Sequence, residues 1–237
     1  MNGITGVILA GGLGTRLRPV VTDYPKVMAP VYGRPFLTFL LDQLRTVGIN
    51  RIILCTGYKA GIVKDRIGEK YKNVNILYSE ESQPLGTGGA IKLAQEKISS
   101  EIFVVMNGDS YVNAELSRFF SWYESAGHAA AIYLTKVDNI KRYGHIITSK
   151  SGEIQKFIEK GSSSGSGWIN AGVYLLNKAL FKSVPEAEPF SLESDFFPNL
   201  IGKGLHGYQH QVEFIDIGTP ESFFQAEKFF SNTSNAI

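Results

Sequence analysis

Cysteine is nearly absent from this chain: Cys55 is the one example among 237 residues. That count excludes a disulfide framework and a multi-cysteine zinc or iron–sulfur site. No window approaches the roughly 18 consecutive apolar residues that a membrane span requires. No cationic segment precedes the first apolar run, so no secretory leader is expected. An excess of one charge is missing too, since 24 Lys and Arg stand against 22 Asp and Glu. The whole-molecule field therefore gives no reason to expect nucleic acid as a partner. No internal repeat is found. What is present is globular composition, 43% hydrophobic and 19% charged, which rules out a disordered acidic or basic tail protein. A chain of this length buries roughly 70–75% of its unfolded surface and needs no covalent or metal staple. The expectation is one α/β domain over residues 1–237, soluble and cytoplasmic, with no membrane partner.

The apolar runs give the order of elements. Ile4 to Ala10 reads as a strand buried on both faces, with glycines directly after it. Pro35 is placed to open a helix, with Phe36, Phe39, Leu40, Leu44 and Val47 at helical spacing and Gly48 at its end. Arg51 to Thr56 is a second strand, followed by a helix carrying Ile62, Val63, Ile67 and Tyr71. Val74 to Tyr78, a helix over Gly88 to Ile98, and Ile102 to Met106 continue the alternation. Four strand–helix alternations with short joints point to a parallel sheet with helices on both faces.

After about residue 128 the pattern changes. Ala129 to Val137 and Trp168 to Leu176 read as long strands, and Gly144–Ser149 with Glu153–Ile158 as a hairpin turning at Ser151-Gly152. Val212 to Ile215 is the last strand, and a final amphipathic helix carries Phe223, Phe224, Ala226 and Phe230. This half is mixed or antiparallel and continues the first sheet. Gly161 to Gly167 is a Ser/Gly-rich segment that suits either a surface loop or a mobile lid.

Charge is unevenly placed. Between Gly11 and Pro35 lie Arg16, Arg18, Lys26 and Arg34 against a single carboxylate, Asp23, in a Gly/Pro-rich stretch. A basic run is commonly a solvated face. A connection this long inside a compact domain is functional or disordered, and its Gly and Pro residues between apolar elements favour an ordered anion site. Its first part, Leu9-Ala10-Gly11-Gly12-Leu13-Gly14-Thr15-Arg16, is not a Walker A loop, because no Gly-Lys-Ser/Thr occurs there. Nor is it the dinucleotide fingerprint, because Leu17 occupies the last glycine position. It offers close backbone approach at Gly11, Gly12 and Gly14, a guanidinium fork at Arg16 and a second cation at Lys26. Asp109 follows the strand Ile102–Met106, and Asp216 follows Val212–Ile215. Ligands of open α/β sheets bind beyond the carboxyl ends of strands, so the two acids are placed to share a hard cation with bound phosphates. Either Asp taken alone is equally a turn or cap residue. His206 and His210 have metal-like spacing, but Gly207 argues against a helix there and no metal pair is expected.

These motifs resemble those of the sugar-1-phosphate nucleotidyltransferases, or nucleotide-sugar pyrophosphorylases, from Ile4 to about Phe224. The carriers are Gly11–Arg16, Pro25-Lys26, Pro84-Leu85-Gly86-Thr87-Gly88-Gly89, Asn107-Gly108-Asp109, Tyr143-Gly144, Glu159-Lys160, Asn170-Ala171-Gly172 and Asp216-Ile217-Gly218-Thr219. The short chain, Pro35-Phe36-Leu37 and Ser191-Leu192-Glu193 most resemble the D-glycero-α-D-manno-heptose 1-phosphate guanylyltransferases within that family. The resemblance implies a Rossmann-like three-layer α/β/α fold with a mixed, mostly parallel central sheet. A nucleotide-binding half would cover about 1–127 and a sugar-binding half about 128–237.

It also implies a reaction. A nucleoside triphosphate, GTP first, and a sugar 1-phosphate would give a nucleotide-sugar, GDP-heptose, and pyrophosphate for surface polysaccharide synthesis. Leu9, Gly11, Gly12, Gly14, Thr15, Gly86 and Thr87 would hold the nucleotide, Arg16 the departing pyrophosphate and Lys26 the α-phosphate. Asp109 and Asp216 would hold Mg2+. Lys160 would meet the sugar phosphate, while Glu159, Asn170 and the backbone at Gly144 would read sugar hydroxyls. Glu81 resembles the base-reading position, and its carboxylate matches the N–H donors of guanine; Glu80 and Glu81 equally suit solvated strand-end residues. The family often has Pro after the Glu-Lys pair, where this chain has Gly161. Other sugars and bases remain open: mannose with guanine, or N-acetylmuramate or glucose with a pyrimidine. So does a nucleotide-sugar-binding regulatory subunit, although that fate predicts loss of Arg16, Lys26, Asp109 or Asp216, and all four are present. A monomer or a homodimer is expected.

Overall fold

The computed structural model describes residues 3–162, 164–182, 184–185 and 188–233. In chain order the first half contains β1 (Thr5–Leu9), a short ribbon of β2 (Pro30–Val31) and β3 (Arg34–Pro35), α1 (Leu37–Thr46), β4 (Arg51–Thr56) and α2 (Ala60–Ile67). It continues with β5 (Lys70–Tyr71), β6 (Val74–Glu80), α3 (Gly86–Ala94), β7 (Ile102–Asn107), β8 (Ser110–Val112) and α4 (Leu116–Ala126). The second half adds β9 (Ala130–Val137), β10 (His145–Thr148), β11 (Ile154–Ile158), β12 (Gly167–Asn177), β13 (Leu205–Gln209), β14 (Phe214–Asp216) and α5 (Pro220–Thr233). No helix among the described residues is long and apolar enough to cross a membrane.

One sheet runs through both halves, in the order β13-β9-β12-β7-β1-β4-β6-β5. Strands β7, β1, β4 and β6 are parallel neighbours, β12 runs antiparallel between β7 and β9, and β13 is parallel to β9. The sheet is thus mixed and mostly parallel, as expected. Alternation along each strand sorts the core into two layers. Ile8, Leu54, Val104 and Met106 face α1, α2, α4 and α5, whereas Val7, Ile53, Phe103 and Val105 face α3 and the turns near Phe181, Leu192 and Phe197.

Local chemistry sets the boundaries. Helix α1 buries Leu37, Leu40, Leu41 and Leu44 at helical spacing. It ends in a Schellman motif: Gly48, at φ +84°, donates to the Arg45 carbonyl, and Ile49 donates to that of Leu44. Pro35 does not open this helix. It closes the β2–β3 ribbon, and the helix begins at Leu37 after Phe36. Several elements were not anticipated, among them β2, β3, β5, β8, α4 and β13. Tyr71, expected on the second helix, lies in β5 beyond the end of α2 at Ile67. Helix α4 follows an amphipathic pattern, burying Phe119, Phe120 and Tyr123. Strand β13 is short and interrupted by Gly207, yet it pairs along β9. Phe224, expected on the buried face of the last helix, is 64% exposed, because Ala226 and Phe230 form the packed stripe. The hairpin of β10 and β11 forms as expected. Within the Ser/Gly segment, Ser163 lies outside the described residues.

The β13 edge carries stacked imidazoles, His128 over His206 with centroids 3.8 Å apart, and the Trp122 ring 4.6 Å from His128. Burial, and then the neighbouring His206, hold the His128 pKa below its ordinary 6.5. Between the depressed native value and 6.5 the unfolded chain binds the proton that native His128 refuses. This contribution to stability is therefore complete above about pH 6.5 and is lost as the pH falls below it. Replacing His128 with Gln should reduce the fall in melting temperature between pH 7.5 and 5.5 relative to the parent chain, as read by scanning calorimetry.

Candidate active site

The cleft begins where β1 ends. Ala10 donates to the Cys55 carbonyl at 2.7 Å, and Tyr58 donates to that of Gly11 at 3.3 Å, which draws the ends of β1 and β4 together. The Glu81 side chain lies between two glycines of these strand ends. A Cβ on Gly11 would stand 2.6 Å from Glu81 Oε1, and one on Gly57 would stand 2.8 Å from it. A side chain at either position would have to displace the Glu81 carboxylate. Glu81 Oε2 accepts from the Leu85 N–H at 3.2 Å. Burial raises the Glu81 carboxyl above its usual pKa, and the Leu85 amide opposes that rise. Glu80, one residue earlier, is exposed, since successive strand residues face opposite ways.

The cationic loop folds back onto the same mouth. Gly14 adopts φ +58° and accepts from the Leu17 amide, and Leu17 is buried, so the loop has an apolar anchor of its own. Lys26 opens a short turn whose Val27 and Met28 are buried, and its Nζ donates to Asp109 Oδ2 at 2.7 Å. A Cβ on Gly218 would lie 2.6 Å from Asp216 Oδ1, 3.4 Å from Lys26 Nζ and 3.7 Å from an Arg16 guanidinium nitrogen. Arg16, Lys26 and Asp216 therefore converge over one glycine.

The result is a cleft of about 370 Å3. Its walls bring together the expected nucleotide residues: Leu9, Gly11, Gly12, Gly14 and Thr15 from the loop, with Glu81, Gly86 and Thr87 opposite. Arg16, Lys26 and Asp109 line it as well. Cys55 reaches the wall, but its Sγ donates to the Ala90 carbonyl and burial pushes the thiol up to about 12, so it is no nucleophile.

Asp109 and Asp216 are neighbours. In the β8–β14 ribbon Asp216 stands opposite Ser110, and Ile217 donates to the Asp109 carbonyl at 2.9 Å. Two carboxylates beside a phosphate-sized cleft fit a hard divalent ion in charge and ligand type. Among the described residues no group of three or more His, Cys, Asp or Glu could hold a metal. The pair would thus supply only part of a shell. The Asp109 side chain is 44% exposed, and Lys26 occupies only its Oδ2. Asp216 is more occupied: Tyr143 donates to Oδ2 at 2.6 Å, Arg142 to both oxygens, and Gly218 N–H and Ser222 Oγ to Oδ1.

The sugar-side residues lie off this cleft. Gly144 at φ +68° packs on the backbone of Ile158–Lys160, where a Cβ would meet the Ile158 carbonyl at 2.5 Å. Glu159 and Lys160 are exposed beside it. Asn170 sits where β12 changes register against β9, between Asn170 and Tyr174, a bulge that re-aims its side chain. Gly172, at φ +75°, makes that bulge possible and donates to Asn170 Oδ1. Three residues with no assigned role from sequence join the two regions. Asn107 and Asn170 both donate to the Tyr174 hydroxyl, which donates to Glu193 Oε1 at 3.0 Å. Glu193 Oε2 accepts from Thr87, on the nucleotide side, at 2.8 Å. Burial, and then Glu193, hold the Tyr174 hydroxyl firmly protonated. The Ser191-Leu192-Glu193 string was visible as a likeness, but nothing in it told which atoms Glu193 meets.

Comparison with known proteins identifies the family. A family model described as nucleotidyl transferase matches residues 5–233. The chain is 41% identical over 223 residues to the D-glycero-alpha-D-manno-heptose 1-phosphate guanylyltransferase of Aneurinibacillus thermoaerophilus, covering 94% of this chain and 96% of that one. It is 33% identical to the mannose-1-phosphate guanylyltransferase of Mycobacterium tuberculosis, covering 93% of this chain but 62% of the relative. Among solved structures, HddC from Yersinia pseudotuberculosis complexed with GMP-PN superposes with a TM-score of 0.84 at 37% identity, covering 96% and 99% of the two chains.

The glycines of α3 have a steric reason of their own. Phe190 accepts from Gly88 and Gly89 through its carbonyl, and its ring occupies the space that a Gly88 Cβ would need. Gly88→Ala is therefore expected to destabilise the protein by about 1–3 kcal/mol, the usual cost of overpacking. Combining it with Phe190→Ala should cost less than the sum of the two single changes, as read by urea unfolding.

Proposed function

Because this chain belongs to the nucleotidyl transferase family, we propose that it transfers the guanylyl group of GTP to D-glycero-α-D-manno-heptose 1-phosphate, giving GDP-heptose and pyrophosphate. The observation that carries this reading is the convergence of Arg16, Lys26 and Asp109 on the cleft that Glu81 closes at its far wall. Two strongly anionic reactants must meet there, and positioning with charge neutralisation supplies most of the catalysis in such chemistry.

A phosphate oxygen of the sugar attacks the α-phosphorus, and the bond to pyrophosphate breaks on the opposite side. No covalent protein intermediate is required. Arg16 holds the departing pyrophosphate, and Lys26 stands against the α-phosphate as charge grows on it. Lys160 receives the sugar phosphate, with Glu159, Asn170 and the Gly144 backbone toward the hydroxyls. Magnesium held by Asp109 and Asp216 would neutralise phosphate charge as a Lewis acid.

Guanine is favoured because the Glu81 carboxylate has Oε1 between two glycine backbones in the cleft wall, an acceptor suited to a base that presents two adjacent N–H donors. Heptose rests on the relative that this chain matches along nearly its whole length. The deciding experiment crosses the four nucleoside triphosphates with heptose, mannose, glucose and N-acetylmuramic acid 1-phosphates and identifies products by mass spectrometry. GDP-heptose as the main product supports the reading, and a different nucleotide-sugar replaces it. In the same assay Glu81→Gln should lower kcat/KM for GTP by about tenfold or more while changing that for UTP little. Asp109→Ala, or excess chelator with the parent enzyme, should abolish pyrophosphate release, and full activity without divalent metal would remove the two aspartates from that role.

A further inference from the structure

The Tyr174 hydroxyl is fully buried, and all three of its hydrogen-bonding positions are filled. A phenol has one proton to donate and two lone pairs. Asn107 and Asn170 reach it through Nδ2 at 3.2 and 3.0 Å, so its own proton goes to Glu193 Oε1. A carboxylate at Glu193 only accepts, and this fixes the direction of every bond in the chain. Asn170 is left with its carbonyl on the Gly172 amide. Asn107 is left with a buried Oδ1 that has no donor. The carboxylate at the other end of the chain sets which end of each amide faces Tyr174.

The same carboxylate holds Thr87 through Oε2, and Thr87 Oγ1 in turn accepts from the Leu192 amide at 2.7 Å. Thr87 and Asn107 line the cleft, and Asn170 sits in the β12 bulge. We propose that Glu193 is a positioning residue for the sugar 1-phosphate. By holding Tyr174 and Thr87 at once, it sets the amide orientation of Asn170 and its distance from the nucleotide loop. The inference rests on the proposed function for the assignment of Asn170 to the sugar.

The test compares the parent enzyme with Glu193→Leu, Tyr174→Phe, their double variant and Glu193→Gln, using GTP and heptose 1-phosphate. Loss of the acceptor frees Tyr174 to donate to an Asn carbonyl and so to turn an amide. Tyr174→Phe is expected to raise the sugar 1-phosphate KM by about tenfold with the GTP KM within about twofold. Glu193→Leu is expected to raise the sugar KM as much while raising the GTP KM less, through the loss of its hold on Thr87. The double variant should be no worse than the worse single one, because the residues act in series. Glu193→Gln keeps an oxygen for Tyr174 and should recover most of the sugar KM. Equal rises in both KM values, additive effects or no rescue by Gln would overturn the proposal. A second measurement does not depend on turnover: the side-chain amide resonances of Asn107 and Asn170 should shift in Glu193→Leu and stay in place in Glu193→Gln. Unmoved resonances in Glu193→Leu would refute the relay, whereas a parent enzyme inactive on every sugar 1-phosphate would refute the proposed function instead.

Discussion

The cleft depends on one contact, the Lys26 ammonium on the Asp109 carboxylate at 2.7 Å. Lys26 is 11% exposed and Asp109 44%. With one partner so open to water, the pair adds little net stability. Its importance lies in where it fixes a positive charge. It ties the loop after β1 to the end of β7, and the lysine runs from a Cβ crowding Gly14 to an ammonium beside Gly218. At an effective dielectric of about 20, unit charges 4 Å apart interact by about 4 kcal/mol. Asp109 offsets part of that charge, so the ammonium weighs most on a phosphate that stands nearer to Lys26 than to Asp109.

The second constraint is the way the two halves are joined. Strand β12 enters the sheet against β7, so the residues beyond β9 are built onto the nucleotide side. Two contacts then fix the joint. Phe190 lies over the glycines of α3, and Glu193 links Thr87 to Tyr174. The first is steric and explains why α3 opens on Gly86-Thr87-Gly88-Gly89, a poor helix start by propensity alone. The second is polar and directional. Side chains on opposite sides of the reaction thus share a rigid frame, which an attack in line on phosphorus requires.

Much of this was legible in the sequence because it is local. Strand β1, the glycine loop and its cations form a contiguous pattern, and apolar runs marked the parallel strands. The placement of Asp109 and Asp216 followed from their positions at strand ends. What could not be read was contact between distant segments. Glu80 and Glu81 are chemically alike, and only the folded structure shows that Glu80 faces solvent while Glu81, just past the end of β6, lies against Gly11 and Gly57. Arg142 and Tyr143 gave no sign that they grip Asp216, 74 and 73 residues away. Strand β13 was missed because Gly207 and two histidines break its apolar alternation, while pairing with β9 supplies the stability that local propensity lacks.

The donors around Asp216 bear on how the proposed magnesium would be held. Gly218, Arg142, Tyr143 and Ser222 together engage both carboxylate oxygens, and the side chain is only 15% exposed. A cation approaching this protein alone meets one half-free carboxylate, Asp109, already paired with Lys26. Magnesium dehydrates reluctantly and is commonly held by one or two carboxylates with substrate phosphates. Two aspartates with no third acidic neighbour among the described residues suit that arrangement better than a resident metal centre. On this argument Asp109 and Asp216 would hold the ion only together with a triphosphate, whose phosphates would supply the missing oxygens. Arg142 and Tyr143 immediately precede Gly144. An ion that took an oxygen of Asp216 would have to displace Arg142 or Tyr143 from it, and so would disturb the segment that carries Gly144.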